Sequence, residues 1–389
     1  MQGLEADAEG SVLLNGALTV QDIRSFAGVD FLAGSGSITA TASIDIHADN
    51  DVNFNLNQFP EGTSTGQVVN IDAGHNVNID PTGDQTVFNN ANIITVNASN
   101  AINITGTSST MLNLTSSTNP FGLIVAFSAG SDFTLADGLT INLDNSGTGN
   151  LTAGANIILG AIGNISVNNG GNLDLTVSNN DGGQIGSGGD IVVTAGKNLT
   201  ANSINLFVNN RNAGSIGAGG DVSLFSGGAL TTAGDVTLGL STRNDGKGGG
   251  IIGSSSEVIL TATGISIGGF FQTFVSTNGG GHIQGDVINT VSTSGDLNAQ
   301  QGIFASIQDT GFGATGNFIA GGRLMAMPLS YLARKTLSLL LRRQEFLGLI
   351  RWLWKPAFIR TSVVGSAVMP LSMCSLHKTS VHLAPPCSR

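Results

Sequence analysis

Cysteine, tryptophan and tyrosine do not occur in the first 322 residues of this 389-residue chain. Basic residues are nearly as scarce there. Arg24, Lys197, Arg211, Arg243 and Lys247 stand against 25 acids, a net charge of −20. Each scarcity excludes something. Without cysteine the stretch has neither a disulfide framework nor a thiolate metal site. An acidic body excludes nucleic acid as a partner, because such recognition needs a basic footprint. Charged residues make up 11% of the chain, against roughly 25% in soluble domains. That low charge is not disorder, since 40% of residues are hydrophobic and disordered chains are poor in β-branched residues. A basic and then apolar leader is also missing: Met1-Gln2-Gly3-Leu4-Glu5-Ala6-Asp7 has neither part. The expectation is a chain that begins inside a longer, exported one.

What is present is period-2 alternation. Ile44-Asp45-Ile46-His47, Val69-Asn70-Ile71-Asp72, Val77-Asn78-Ile79-Asp80, Ile102-Asn103-Ile104-Thr105 and Leu112-Asn113-Leu114-Thr115 put apolar side chains on one face and polar ones on the other. This is the pattern of strands buried on one side. Gly, Asn, Asp and Ser fill the gaps, as turns require. No amphipathic helix precedes residue 323.

Internal repeats decide the architecture. Gly182-Gly183-Gln184-Ile185-Gly186-Ser187-Gly188-Gly189-Asp190-Ile191 returns with Ile216 and Asp221, with Ile252 and Glu257, and in shortened form with Ile283 and Asp286. The isoleucines are 31, 36 and 31 residues apart, the acids 31, 36 and 29. A shorter signature, Ala-Gly-x-Asn-apolar, occurs at Ala73–Val77, Ala153–Ile157 and Ala195–Leu199. Units this short cannot bury an apolar face alone and must stack on their neighbours. The expected fold is all-β: a parallel β-helix (β-solenoid), right-handed, over residues 1–322, clearest over 182–310. At about 4.8 Å per layer the stack is roughly 50–75 Å long.

These Ala-Gly-x-Asn-apolar and Gly-Gly-Asp-(Ile/Val) units resemble the repeats of filamentous-haemagglutinin-like exoproteins and autotransporter passengers, over about residues 30–320. The resemblance implies export through an outer membrane, a rod-like β-helix and adhesion to a host cell, matrix or glycan surface. Its implied location is the bacterial surface or the exterior.

Residues 323–389 are a different sequence. They hold ten of the 15 bases, one acid (Glu345), both Trp (Trp352, Trp354), Tyr331, Cys374 and Cys387. Read one base out of phase, Met325-Ala326 forces Gly and Met327-Pro328 forces Ala, so Leu324–Pro328 allows (Asn/Asp)-Gly-(Asn/Asp)-Ala, and Val368–Cys374 can read Asn-Ala-Thr-Val-Asn-Val, the vocabulary of the body. The tail is therefore expected to derive from a frameshift near codons 320–323, to lie outside the fold, and to be poorly ordered or helical. The alternative is a genuine basic appendage, in which case Phe346–Trp354 reads as a membrane-surface helix.

No catalytic, cofactor-binding or metal residue is assigned. Asp45, Asp72 and Asp80 are candidates for one outer face but are more simply solvated or turn-forming. Asp190, Asp221, Glu257 and Asp286 lack the nine-residue spacing of calcium repeats and are expected to form a ladder beside a turn. His47, His75 and His282 stand apart from further ligands. The glycosylation-type triplets at Asn97, Asn103, Asn113, Asn150, Asn164 and Asn198 follow from composition. Loops around Asn209–Gly217 and Arg243–Gly250 are the expected contact points. The expectation is a structural and adhesive module rather than an enzyme. End-to-end self-association is possible at exposed edges. A carbohydrate-active β-helix enzyme of the polysaccharide lyase or hydrolase type is the alternative.

Overall fold

A computed structural model describes residues 3–15, 18–33, 38–54, 67–80, 85–86, 91–106, 109–115, 122–145, 147, 149–243, 248–277, 280–308, 314–320, 324–326, 329–333, 336–341 and 370–372. These residues form an all-β structure without a helix, in sheets of 24, 9 and 5 strands. Every pairing is parallel except Pro370–Ser372 against Thr336–Leu341. In the longer repeats the chain visits the first sheet twice, then the second, then the third, and returns to the first one strand further along. Ala155–Ala161, Ile165–Val167, Leu173–Ser178 and Gln184–Ile185 make one such repeat, and Ile191–Ala195 begins the next.

Alternation produces the core directly. Ile46, Ile71, Val96, Phe127, Leu159, Val193, Leu224, Leu260 and Val291 pair strand to strand into one column, all buried. At about 1.5–3 kcal/mol for each fully buried side chain, such columns hold the repeats together. The isoleucines spaced 31, 36 and 31 apart do form a ladder: Leu151, Ile185, Ile216, Ile252 and Ile283 pair in the third sheet and are buried.

Repeat length varies along the stack. The offset between paired residues is 19 at Gly3↔Asp22, 21 at Asp22↔Ser43 and 25 at Ser43↔Val68. It reaches 34 at Ile157↔Ile191 and 36 at Val222↔Val258. The third sheet begins at Asn150–Leu151 and ends at His282–Ile283, within the long repeats, where the chain has residues to spare for another side.

The corner within the first sheet explains the short signature. Ala8, Ala27, Ala48, Ala73, Ala98, Ala129, Ala161 and Ala195 pair in succession, so each repeat turns at the motif Ala-x-x-x-apolar. The residue after Ala passes against the previous repeat. A Cβ on Gly74 would lie 2.0 Å from the Asp49 carbonyl oxygen, and one on Gly196 2.2 Å from that of Ile162. Two repeats beyond Ala73, the chain reads Ala129-Gly130-Ser131-Asp132-Phe133, the same corner with Asp in place of Asn.

Ala153–Ile157 does not belong to this corner. Ile157 pairs with Ile191, which sets Asn156 beside Asp190 at the entrance to the first sheet, and the matching corner residue is Asn164.

Much of 323–389 lies outside the described residues, Cys374, Cys387, Trp352 and Trp354 included. The described parts are strands. Leu324–Ala326, Leu329–Ala333 and Thr336–Leu341 extend the parallel pairings.

Candidate functional surface

Polar side chains on the outside of the stack are held by one another across repeats. At the Ala corner the fourth residue accepts the backbone N–H one repeat later. Asp30 takes Asp51 N–H (3.1 Å), Asp51 takes Asn76 N–H (2.9 Å), and Asn76 takes Ala101 N–H (3.2 Å). Asp132, Asn164 and Asn198 continue the series to Asn164, Asn198 and Ala229. These groups would otherwise be orphaned donors between stacked turns.

On the outer face of the first sheet, Asn70 Nδ2 donates to Asp45 (2.9 Å) and Asn97 Nδ2 to Asp72 (2.8 Å). Asp45 and Asp72 thus share a face, bridged by amides, whereas Asp80 is exposed on a different strand's end. Beyond the corner, Asn103 donates to Asn78 and Asn78 to Asn53. Asn97, Asn103, Asn164 and Asn198 are therefore ladder members, and Asn113 accepts from Asn142 in the second sheet. Asn150 is exposed on the third sheet.

His75 Nδ1 lies 3.0 Å from Asp51, and His47 Nε2 lies 3.4 Å from Asp49. His47 also meets the Phe26 ring at 5.8 Å, while His282 is in the third sheet. Among the described residues, no three His, Cys, Asp or Glu side chains converge as a metal site would require.

The Gly-Gly-Asp repeat has a backbone explanation. Gly188, Gly189, Gly219 and Gly220 all have φ between 84° and 101°, open to glycine and costly for other residues. In that conformation the first glycine's N–H reaches the following repeat, at the Ala218 carbonyl oxygen from Gly188 and Ser254 Oγ from Gly219, while the next two N–H groups face the previous repeat. Asp190 accepts from Gly220 N–H (2.8 Å) and Asp221 N–H (3.0 Å), and Asp221 accepts from Glu257 N–H (2.8 Å). Asn156 caps Asp190 N–H at the start of the column. The column ends at Glu257, which pairs with Ile288; contrary to expectation Asp286 is not a member, and lies one repeat on from Ser255, whose Oγ caps its N–H. Desolvation raises the Asp221 pKa to about 6, with the Asp190 and Glu257 charges adding to the shift and the Glu257 N–H opposing it. Burial also raises Asp174 on the second sheet.

The segment Asn209–Gly217 is not a projecting loop. Asn210 is fully buried and Ser215–Ile216 is a strand of the third sheet. Arg211 turns back, donating its Nε to Asn209 and its backbone N–H to Asn180. Repeat closure pulls the chain inward immediately after the second sheet. Only the ends of Arg243–Gly250 are described; 244–247 lie outside the described residues.

That inward turn carries a feature not anticipated from the sequence. Asn145 Nδ2 donates to Asn179 Oδ1 and Asn179 Nδ2 to Asn210 Oδ1, each at 2.8 Å and fully buried. The same amides reach the backbone carbonyls of Gln184, Ser215 and Ile251. Thr242 and Thr277 follow at the matching position. Leu143-Asp144-Asn145, Val177-Ser178-Asn179, Val208-Asn209-Asn210, Leu240-Ser241-Thr242 and Val275-Ser276-Thr277 are the signal that marks it.

The outer face of the first sheet changes character along the stack. Toward the N-terminus it presents Glu5, Asp7, Arg24, Asp45, His47 and Asp72. Further on the same columns hold Ala126, Ile158, Val192, Ser223 and Ile259, with Phe225 beside them. Ile158 is 43% and Phe225 41% exposed.

No protein-family model, curated protein or solved structure matches the chain. The class that the sheets define is all-β with parallel strands and stacked sequence repeats.

Proposed function

We propose that the chain is a β-solenoid, a right-handed parallel β-helix, serving as the rod of a secreted or surface-exposed bacterial adhesin-like protein. Parallel pairing at offsets of 19–36 residues and closed columns of buried side chains support the solenoid reading. The observation carrying the adhesive reading is the set of outward amide and carboxylate ladders, Asp45–Asn70, Asp72–Asn97 and Asn53–Asn78–Asn103. Held at strand spacing, they offer a rigid row of hydrogen-bonding groups, the kind of surface that engages repeating polar ligands many times over. Glycan or matrix polymers on a host cell are the partners of this reading. Binding of the purified chain to immobilised glycans and matrix proteins tests it. Loss of binding in an Asp45→Ala, Asp72→Ala double variant is the expected result; unchanged binding, or none with wild type, sinks it.

One observation favours a second reading, a carbohydrate-active enzyme. Asp190, Asp221 and Glu257 are carboxylates on adjacent strands, and Asp221 is pushed up to about 6, within the range suited to a general acid. Polysaccharide turnover by wild type that Asp221→Asn abolishes would establish it.

A further inference from the structure

Resting on the adhesive reading above, we propose that the face bearing Asp45–Asn70 and Asp72–Asn97 takes a cationic glycan, a polymer of amino sugars with free ammonium groups. Charge points there first. The described residues of 3–80 hold ten acids and one base, Arg24. In the first four layers the outward positions of the first sheet are Gly3, Glu5 and Asp7, then Asp22, Arg24 and Phe26, then Ser43, Asp45 and His47, then Val68, Asn70 and Asp72. Each layer carries a carboxylate, so this face repels uronate or sulfated polymers and attracts cationic ones.

The carboxylates are also held in place and lack counter-charges. Asn70 Nδ2 lies 2.9 Å from Asp45 Oδ1 and 3.3 Å from Asp72 Oδ2, and Asn97 Nδ2 lies 2.8 Å from Asp72 Oδ1. One neutral amide thus draws two carboxylates together, and among the described residues neither has an ion-pair partner. An ammonium brings three donors to acceptors that are already ordered, which lowers the entropic cost of binding.

One cation already sits on this face. The Arg24 guanidinium lies 4.8 Å over the Phe26 ring and 3.9 Å from Glu5, an aromatic and carboxylate seat of the kind that cationic ligands take. Spacing then favours a sugar polymer over a basic peptide. Layers repeat at about 4.8 Å, whereas same-side residues of an extended peptide fall roughly 6.6 Å apart and drift out of step within a few layers. A β-linked sugar chain advances by close to one layer per unit, and its hydroxyls meet the amides between the carboxylates.

Calorimetric titration of the full chain with a glucosamine hexamer, its fully N-acetylated counterpart and hexalysine is the test. The free-amine hexamer is expected to bind, and the N-acetylated one at least about tenfold more weakly. Added salt should weaken binding, because exposed charges are screened beyond about 10 Å at 0.1 M. Asp45→Asn combined with Asp72→Asn keeps acceptors for the ladder and should weaken binding about tenfold or more. Asp144→Asn, on the second sheet, should leave it unchanged. Equal binding of the N-acetylated hexamer, hexalysine binding as tightly as the glucosamine hexamer, or a folded double variant of unchanged affinity overturns the proposal. Should the double variant fail to fold, wild-type binding that is indifferent to salt overturns it. A chain that ignores the glucosamine hexamer yet binds other glycans or matrix proteins overturns the cationic ligand alone, and one that binds none of them overturns the adhesive reading as well.

Discussion

Residues 3–106 and residues 122–308 stack by the same parallel pairing but satisfy their corners differently. In the first region offsets are 19–25 residues, and the polar ladders lie outside, Asp45 with Asn70 and Asn53 with Asn78 with Asn103. In the second, offsets of 31–36 add a third sheet, and the principal ladder, Asn145–Asn179–Asn210, lies inside. The difference follows from closure. A short repeat turns at the surface, where water can serve its backbone. A long repeat must bend inward after the second sheet, which buries carbonyls and amides that only an internal side chain can reach. Extra length therefore demands specific residues at the bend.

The contrast can be broken at several points. Gly250 occupies the inward bend, where a Cβ would sit 1.7 Å from the Asn210 carbonyl oxygen, whereas nothing lies within 4 Å of one on Gly10. Gly250→Ala should cost at least about 3 kcal/mol in denaturant unfolding, and Gly10→Ala less than about 0.5 kcal/mol. Equal costs would show that the bend is not tight. Asn179→Ala strands the side-chain Oδ1 of Asn210 and removes a buried donor to the Ser215 carbonyl oxygen, a loss of about 2–3 kcal/mol. Asn78→Ala in the outer ladder, where water substitutes, should cost under about 1 kcal/mol, and similar values for the two would erase the inside–outside distinction.

Ala213 gives a gain. Its φ is 64°, at a position held by Gly182 in the preceding repeat and by Gly280 two repeats on, with φ of 89° and 100°. Ala213→Gly should stabilise the long-repeat region by about 0.5–1 kcal/mol, the left-handed strain outweighing the added chain entropy; a lower melting temperature would count against strain there.

The smallest effect is pH-linked. The Asp221 pKa is raised in the folded state to about 6, so the folded chain binds more protons than the unfolded one between about pH 4 and 6. Its ionisation costs stability as pH rises through that window. Asp221→Asn keeps an acceptor for the Glu257 N–H and removes the titration. Above pH 6 the variant should be the more stable, by at most about 1 kcal/mol after solvent screening, with the advantage vanishing near pH 4. An advantage independent of pH would assign the effect to something other than ionisation.

Alternation and spacing made much of this legible in the sequence. The strands at Ile44–His47 and Val69–Asp72, the Ile185–Ile216–Ile252–Ile283 ladder and the Asp190–Asp221–Glu257 part of the acid column were readable, because each rests on local period or fixed offset; Asp286 fell out of it because its repeat is two residues short. The inner asparagines were not. In a chain where Asn fills strands, turns and caps alike, composition offers no contrast, and only repeat closure tells Asn179, inside, from Asn97, outside. The Ala-Gly-x-Asn signature misled at Ala153 for a related reason: a four-residue pattern fits two corners, and only register separates them. The Asn209–Gly217 segment looked like a loop because its turn residues are visible and its inward course is not.

The alanine column from Ala8 to Ala195 has a consequence for how such a chain changes over generations. From Ala8 to Ala195 each repeat presents alanine at the same corner, and Ser226, Ala262 and Thr293 continue the column. Excising residues 162–195 would join Ala161 to Gly196 and leave reading and stacking in phase, as would inserting a second copy of them. Length can then drift by whole layers through unequal exchange between similar stretches of DNA, whereas losing a single residue would turn an entire strand inside out.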